Sequence, residues 1–184
     1  MQHLITLKDE RSATIREATV LDAAEFIRHR TKTCGETDFL GNYADEVTLT
    51  VEDEERITRE IADNPQRTLL VCDLEGSVIG FAGVSPVSSF PKCAHRAVCA
   101  LSVERAFWGQ GIGSDLLAAC IASARGMGFE LLELGCYAEN ERALELYERA
   151  GFKQWGVCPK AMKHRDGTYH DEIQMTLDLK QPNH

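Results

Sequence analysis

The sequence predicts a mixed α/β (α+β) fold: one central, mostly antiparallel sheet of six to seven strands, flanked by about four helices. Three observations carry that expectation. Apolar residues alternate with period two in some segments and recur at helical spacing in others. A glycine-rich turn joins a β-rich run to a helix, and two further stretches carry hairpin signals.

Taken in order, residues 14–16 begin the first strand, and Asp22 stands as a cap before the helix opening Ala23-Ala24-Glu25-Phe26-Ile27. Thr50-Val51-Glu52-Asp53 has the form of a capping box, and Val51, Ile57 and Ile61 give the helix that follows an apolar stripe to about Ala62. Strands over 67–74 and 77–84 are joined by Glu75-Gly76, a tight-turn pair. Another strand spans 95–103. The helix over 112–127 carries Leu116, Leu117, Cys120, Ile121 and Ala124 on one face and is stopped by Gly126 and Gly128. A strand over 130–137 precedes a helix capped by Asn140 and ended by Gly151, and segments 152–162 and 169–179 form a terminal hairpin. The predicted order is β-α-α-β-β-β-α-β-α-β-β, with a frayed tail over 180–184.

With 184 residues, 43% of them hydrophobic, the chain is expected to bury one core as a single domain over 1–184, centred on about 14–179. No apolar run approaches the roughly 20 residues that span a bilayer, and residues 1–11 lack the apolar block of a signal peptide, so a cytoplasmic protein is expected. The seven cysteines (34, 72, 93, 99, 120, 136 and 158) are odd in number, form no CxxC pair and read as buried thiols. A net charge of −9 disfavours nucleic acid and anionic membrane partners. Nine acidic residues between Glu36 and Glu60 face only Arg56 and Arg59, which suits either a solvated helix face or a surface attracting cationic substrates.

The segment Val103-Glu104-Arg105-Ala106-Phe107-Trp108-Gly109-Gln110-Gly111-Ile112-Gly113-Ser114 joins strand to helix through three alternate glycines. Such a turn aims backbone amides and a helix N-terminus into one concavity, so phosphate or diphosphate is the natural ligand. A P-loop needs Lys-Ser/Thr after its last glycine, and this chain has Ser114-Asp115. A dinucleotide loop needs G-x-G-x-x-G/A, and its third position here is Ser114, although Glu133 stands where a ribose-binding acid would.

Gln110-Gly111-Ile112-Gly113, followed one strand later by Asn140-Glu141-Arg142-Ala143-Leu144-Glu145-Leu146-Tyr147-Glu148-Arg149-Ala150-Gly151-Phe152, resembles the GNAT superfamily of CoA-dependent N-acyltransferases. The resemblance covers about 14–179 and implies a V-shaped splay between the fourth and fifth strands. It implies acetyl-CoA as cosubstrate and direct attack by a primary amine of a small molecule or peptide, both ligands bound together. Leu101, Ser102 and Val103 would pair with the pantetheine, with a backbone N–H near Leu101 as oxyanion donor. Trp108, Gly109, Gln110, Gly111, Ile112, Gly113 and Ser114 would hold the diphosphate, Asn140 would contact pantetheine, and Tyr147 would protonate the leaving thiolate. Trp108 departs from the family pattern by standing where Gln or Arg is usual. So does Gly135, at the position where some ribosomal-protein N-acetyltransferases of the family keep a glutamate.

The general base is therefore open among Glu36, Glu133 and His95, in that order. Each has a structural alternative: an exposed loop acid, a salt-bridge partner and a strand-end residue. Tyr147 could equally be a core tyrosine, and Asn140 an ordinary helix cap. The six histidines show neither HxH nor HExxH spacing, so metal-free chemistry is expected. Loops 31–50, 85–94 and 155–169 would set the acceptor, with Phe39, Tyr43, Phe90 and Trp155 lining a partly apolar pocket. A homodimer is compatible with an exposed sheet edge. A silent acetyl-CoA sensor and a Rossmann oxidoreductase are the alternatives in other functional classes.

Overall fold

The computed structural model describes residues 2–180. β1 (Gln2–Thr6) and β2 (Ser12–Glu17) precede the helices α1 (Ala23–Glu36) and α2 (Val51–Ala62). β3 (Thr68–Leu74), β4 (Ser77–Pro86) and β5 (Arg96–Val103) come next, then α3 (Ile112–Gly126), β6 (Leu131–Tyr137) and α4 (Glu141–Arg149). β7 (Lys153–Lys163) and β8 (Tyr169–Asp178) close the chain. All eight strands share one sheet in the order β1-β2-β3-β4-β5-β6-β8-β7. Neighbours are antiparallel except β5 with β6, which run parallel.

The sheet holds one strand more than expected. β1 escaped the periodicity because, of its five residues, Ile5 alone is buried, and its structure comes from pairing with β2 rather than from its own pattern. Asp22 precedes α1 but does not cap it with its side chain. Its carboxylate instead takes the Arg16 guanidinium at 2.7 and 2.8 Å and the Thr19 amide at 2.7 Å. Thr50 does cap α2, accepting from the Asp53 amide at 3.2 Å. Ile57 and Ile61 of the expected apolar stripe are half-buried on the face that also buries Glu54 and Thr58, whereas Val51, at the start of that helix, is exposed. Gly126 lies inside α3, and Gly128, at φ +84°, ends it. Residues 181–184 of the expected frayed tail lie outside the described residues.

The helices divide between the two faces of the sheet. α1 lays Phe26 on Val71 and Val78 on one face. α3 presses Ile112, Leu116, Leu117 and Cys120 into the main core on the other, which also takes Tyr147 from α4 and Phe152 after it. Four cysteines (72, 99, 120 and 136) are buried as expected, whereas Cys34 and Cys93 are half-buried and Cys158 is exposed on the outer strand β7. Cys158 escapes burial because β7 is the edge strand and its apolar neighbour Val157 points to the opposite side of it; Cys34 lies near the end of α1 and Cys93 in the loop before β5.

α1 is locked to the end of β5 by charge. Glu104 is buried and takes Arg28 at 2.7 Å and Lys32 at 2.5 Å, and neutral His29 bridges the Val78 carbonyl and the Ser102 hydroxyl. Burial opposes ionisation of Glu104, but the two cations outweigh it and hold its carboxyl below the ordinary 4.5. A depressed folded value means that this stabilisation is complete above the unfolded value and is lost as pH falls through the folded one. Urea melts should therefore show stability falling below about pH 4.5, and Glu104→Gln should flatten that acid limb. An unchanged limb in the variant would contradict the assignment.

Candidate functional site

The parallel pairing of β5 with β6 lasts for three residue pairs, Arg96 to Leu131, Ala97 to Leu132 and Val98 to Glu133, and then stops. Beyond it each strand stays paired on its outer side, β5 to β4 as far as Val103 and β6 to β8 as far as Tyr137. The two strands therefore diverge into a wedge. The Glu104 amide donates to Ile79 and the Arg96 carbonyl accepts from Val87, so even-numbered residues of β5 bond to β4. Alternation along a strand then turns the amides and carbonyls of Cys99, Leu101 and Val103 into the wedge. By the same reasoning, from the bonds of Ala138 with Asp171 and of Leu179 with Glu130, Gly135 faces the wedge from β6. An open ladder edge inside a sheet is costly unless something else pairs with it, and an extended amide-bearing chain is the natural complement.

At one end of the wedge lies the glycine turn. Gly109 and Gly111 have φ of +81° and +97°, and Gly111 is the N-cap of α3. The Gln110 amide is turned back on Phe107 and the Ser114 amide on Gly111. Among the described residues, no carbonyl accepts from the amides of Gly109, Gly111, Ile112 or Gly113. The Gln110 side chain is committed elsewhere, accepting from the Lys8 amide at 2.9 Å. The Trp108 indole donates to the Val103 carbonyl at 2.8 Å, and its ring carries Arg142 at 4.8 Å and Arg105 at 5.8 Å. Positive charge thus reaches the turn through arginines held against Trp108, whose position lacks the usual side-chain donor. Sequence reading gave Arg142 and Arg105 no part in the turn, because Arg142 belongs to α4, beyond α3 and β6, and Arg105 precedes the place the family pattern reserves for charge. Free amides, a helix N-terminus and two guanidiniums fit a diphosphate.

Tyr147 reaches the wedge from α4. It is buried, its ring packs on Phe152 at 5.9 Å between centroids, and its hydroxyl has no hydrogen-bond partner among the described residues. Burial pushes the phenol well above its ordinary value, with the Cys136, Cys99 and Cys120 thiols as its charge-bearing neighbours. The same dry surroundings push Cys99 up to about 12 and Cys136 up to about 11. A thiolate formed beside Tyr147 would be equally poorly solvated and correspondingly basic, so a phenol can still match it as a proton donor. Asn140 caps α4, its Oδ1 accepting from the Ala143 amide at 3.3 Å, which leaves its Nδ2 donors for a ligand.

The three base candidates do not converge. Glu133 is held by both guanidinium nitrogens of Arg96 at 2.5 and 2.8 Å. Glu36 accepts the Arg105 amide at 2.7 Å and so serves as an anchor for the segment leaving β5. His95 is exposed at the start of β5, before the wedge opens.

Where β6 ends, at Tyr137, there is a small cavity of about 70 Å³, lined by Asp38, Tyr43, Tyr137 and His164 among others. Tyr43 lines it and packs on His164, with Arg165 4.0 Å over its ring, while Phe39 packs on Tyr137 without lining the cavity. Phe90 and Trp155 do not line it either, being 71% and 62% exposed; Trp155 stands on the outermost strand, where nothing folds over it. Tyr137, His164 and His170 form a stacked cluster, with the Tyr137 hydroxyl 3.3 Å from His164 Nε2 and His170 Nδ1 3.1 Å from Glu139. Tyr137, His164 and His170 carried no motif in the sequence. No helix among the described residues is long and apolar enough to cross a membrane, and no group of three or more metal-ligating side chains is present among them.

Comparison with known proteins agrees with this geometry. The model of the acetyltransferase (GNAT) family matches residues 36–152. The mycothiol acetyltransferase of Propionibacterium freudenreichii subsp. shermanii is 32% identical over 125 residues, which are 64% of this chain and 39% of that protein, so this chain spans well under half of that relative. The L-amino acid N-acyltransferase of Escherichia coli (strain K12) is 30% identical over 134 residues, 71% of this chain and 76% of that one. Among solved structures, the acetyltransferase of the GNAT family from Streptococcus pneumoniae superposes with a TM-score of 0.86 at 26% identity, covering 90% of this chain and 99% of the other.

Proposed function

The chain belongs to the acetyltransferase (GNAT) family, and on that premise we propose that it is an acetyl-CoA-dependent acyltransferase that acetylates the primary amine of a molecule of about amino-acid size. The observation that carries the reading is the wedge: β5 leaves β6 after Val98, its unpaired edge runs up to the glycine turn, and Tyr137 at the end of β6 lines a small polar cavity. Bound acetyl-CoA supplies a thioester carbonyl open to attack. The amides of Gly111, Ile112 and Gly113, backed by the α3 dipole and Arg142, hold the diphosphate, and the backbone edge of Leu101 to Val103 pairs with the pantetheine amides. The Leu101 amide steadies charge developing on the carbonyl oxygen, and the Tyr147 hydroxyl keeps a proton ready for the sulfur. An amino-acid-sized acceptor is supported by the cavity's volume and by the similarity to an L-amino acid N-acyltransferase.

Thiol release from acetyl-CoA, measured against L-methionine, L-phenylalanine, spermidine and an alanine-initiated peptide, tests the reading. Turnover is expected, fastest with a free amino acid. Calorimetric binding of acetyl-CoA without thiol release on any amine would sink it and leave a silent binder.

A further inference from the structure

Most carboxylates beside the wedge are already engaged: Glu133 by Arg96, Glu104 by Arg28 and Lys32, and Glu36 by the Arg105 amide. Glu172 on β8 is different. It pairs across the strands with Tyr137, so both side chains stand on the α1 face of the sheet, and its carboxylate leans along the strand to lie over Gly135. A Cβ at position 135 would collide with it, coming within 3.0 Å of Oε2 and closer still to Oε1. Gly135 is thus a glycine in mid-strand because another strand's carboxylate occupies the space of its side chain. Gln174 Nε2 donates to Oε2 at 2.5 Å, and among the described residues no cation pairs with Glu172.

We infer that Glu172 is the carboxylate that receives the acceptor's ammonium and takes its proton, supplied from β8 over a glycine of β6; the inference rests on the acetyltransferase reading. An α-amino group titrates near 8 in a peptide, and higher in a free amino acid whose own carboxylate is ionised, so at neutral pH most of the acceptor arrives protonated and cannot attack. One proton passes from the ammonium to Glu172, and the freed lone pair forms the bond to the acyl carbon as the carbon–sulfur bond breaks. The sulfur keeps that electron pair and takes a proton from Tyr147. The second proton lost by the nitrogen restores Tyr147, and the one on Glu172 leaves to water. The other titratable groups around this site are Arg96 on β5, Glu133 and Tyr137 on β6, Asp38 and Tyr43 between α1 and α2, Cys158 and Lys163 on β7, and Glu139, His164, His170 and Arg165, the last paired with Asp45 and Glu46, near the last hairpin. Of these, Arg96 is spent on Glu133, which leaves Glu172 without an internal counter-ion.

The test compares thiol release by the unaltered chain, Glu172→Gln, Glu172→Gly and the double variant Glu172→Gly/Gly135→Glu, using the best amine of the panel and acetyl-CoA affinity as a parallel readout. At pH 7 Glu172→Gln should lose about 100-fold in kcat/KM, with acetyl-CoA affinity unchanged. Raising the pH past the acceptor amine's own pKa should narrow the loss as free amine replaces ammonium. The double variant moves the carboxylate from β8 to β6 and should recover much of what Glu172→Gly loses. A loss under about threefold, a loss equal at every pH, or no recovery in the double variant would overturn the inference. No thiol release by the unaltered chain would instead overturn the transferase reading, and the role of Glu172 with it.

Discussion

Replacing Tyr147 by Phe lowers kcat for acetyl transfer by about 100-fold or more and leaves acetyl-CoA affinity and the melting temperature essentially unchanged. The substitution removes one oxygen and keeps the ring that packs on Phe152. Since that hydroxyl has no partner within the described residues, its loss strands no buried donor or acceptor, and stability stays level or rises slightly. A core tyrosine of purely structural use would behave oppositely, with turnover intact. Rapid-mixing thiol release, which separates the chemical step from binding, decides between the two, and an unaltered kcat would remove Tyr147 from the mechanism. The burial that raises the phenol keeps it protonated across the neutral range, so this residue contributes no rise or fall of rate between pH 6 and 9.

Gly111→Val is expected to weaken acetyl-CoA binding tenfold or more. At φ +97° a β-branched residue carries about 1–3 kcal/mol of backbone strain, and 1.4 kcal/mol is a factor of ten in affinity. Space is not the difficulty, because a Cβ there would meet Asp115 Oδ2 at 3.9 Å, an ordinary contact. The strain relaxes by turning the peptide, and that swings the amides of Gly111 and Ile112 out of their common direction. Gly167→Val is the control: its φ is +89° in the exposed turn between β7 and β8, so the same strain should lower stability without touching acetyl-CoA affinity. Equal affinity losses in both variants would show that the turn acts only through global stability.

Much of this site was legible in the chain itself. The alternate glycines before α3 and the Asn140-to-Phe152 segment are local, and local chemistry needs neighbours in sequence alone: a positive φ, a side-chain cap, a helix face. The Thr50 capping box and the Glu75-Gly76 turn are visible for the same reason, and both are formed. Glu36 and Glu133 looked available as bases because their partners, the Arg105 amide and the Arg96 guanidinium, lie elsewhere in the chain. Arg142 was read as part of a helix motif, yet its use is set by Trp108 across the gap between two elements.

Neighbouring residues alone dictate the alternation of strands and helices, the turn that can hold a diphosphate, and the family to which those motifs point. Periodicity and turn chemistry are properties of adjacent residues, so they can be read without a fold. Which charges cancel and which are left over follows from the folded packing. β8 inserts between β6 and β7 and sets Glu172 opposite Tyr137, laying a carboxylate over Gly135 that no spacing rule could place there. Pairing between strands distant in the chain is fixed by how the whole sheet buries its two faces, and the leftover carboxylate is a consequence of that packing.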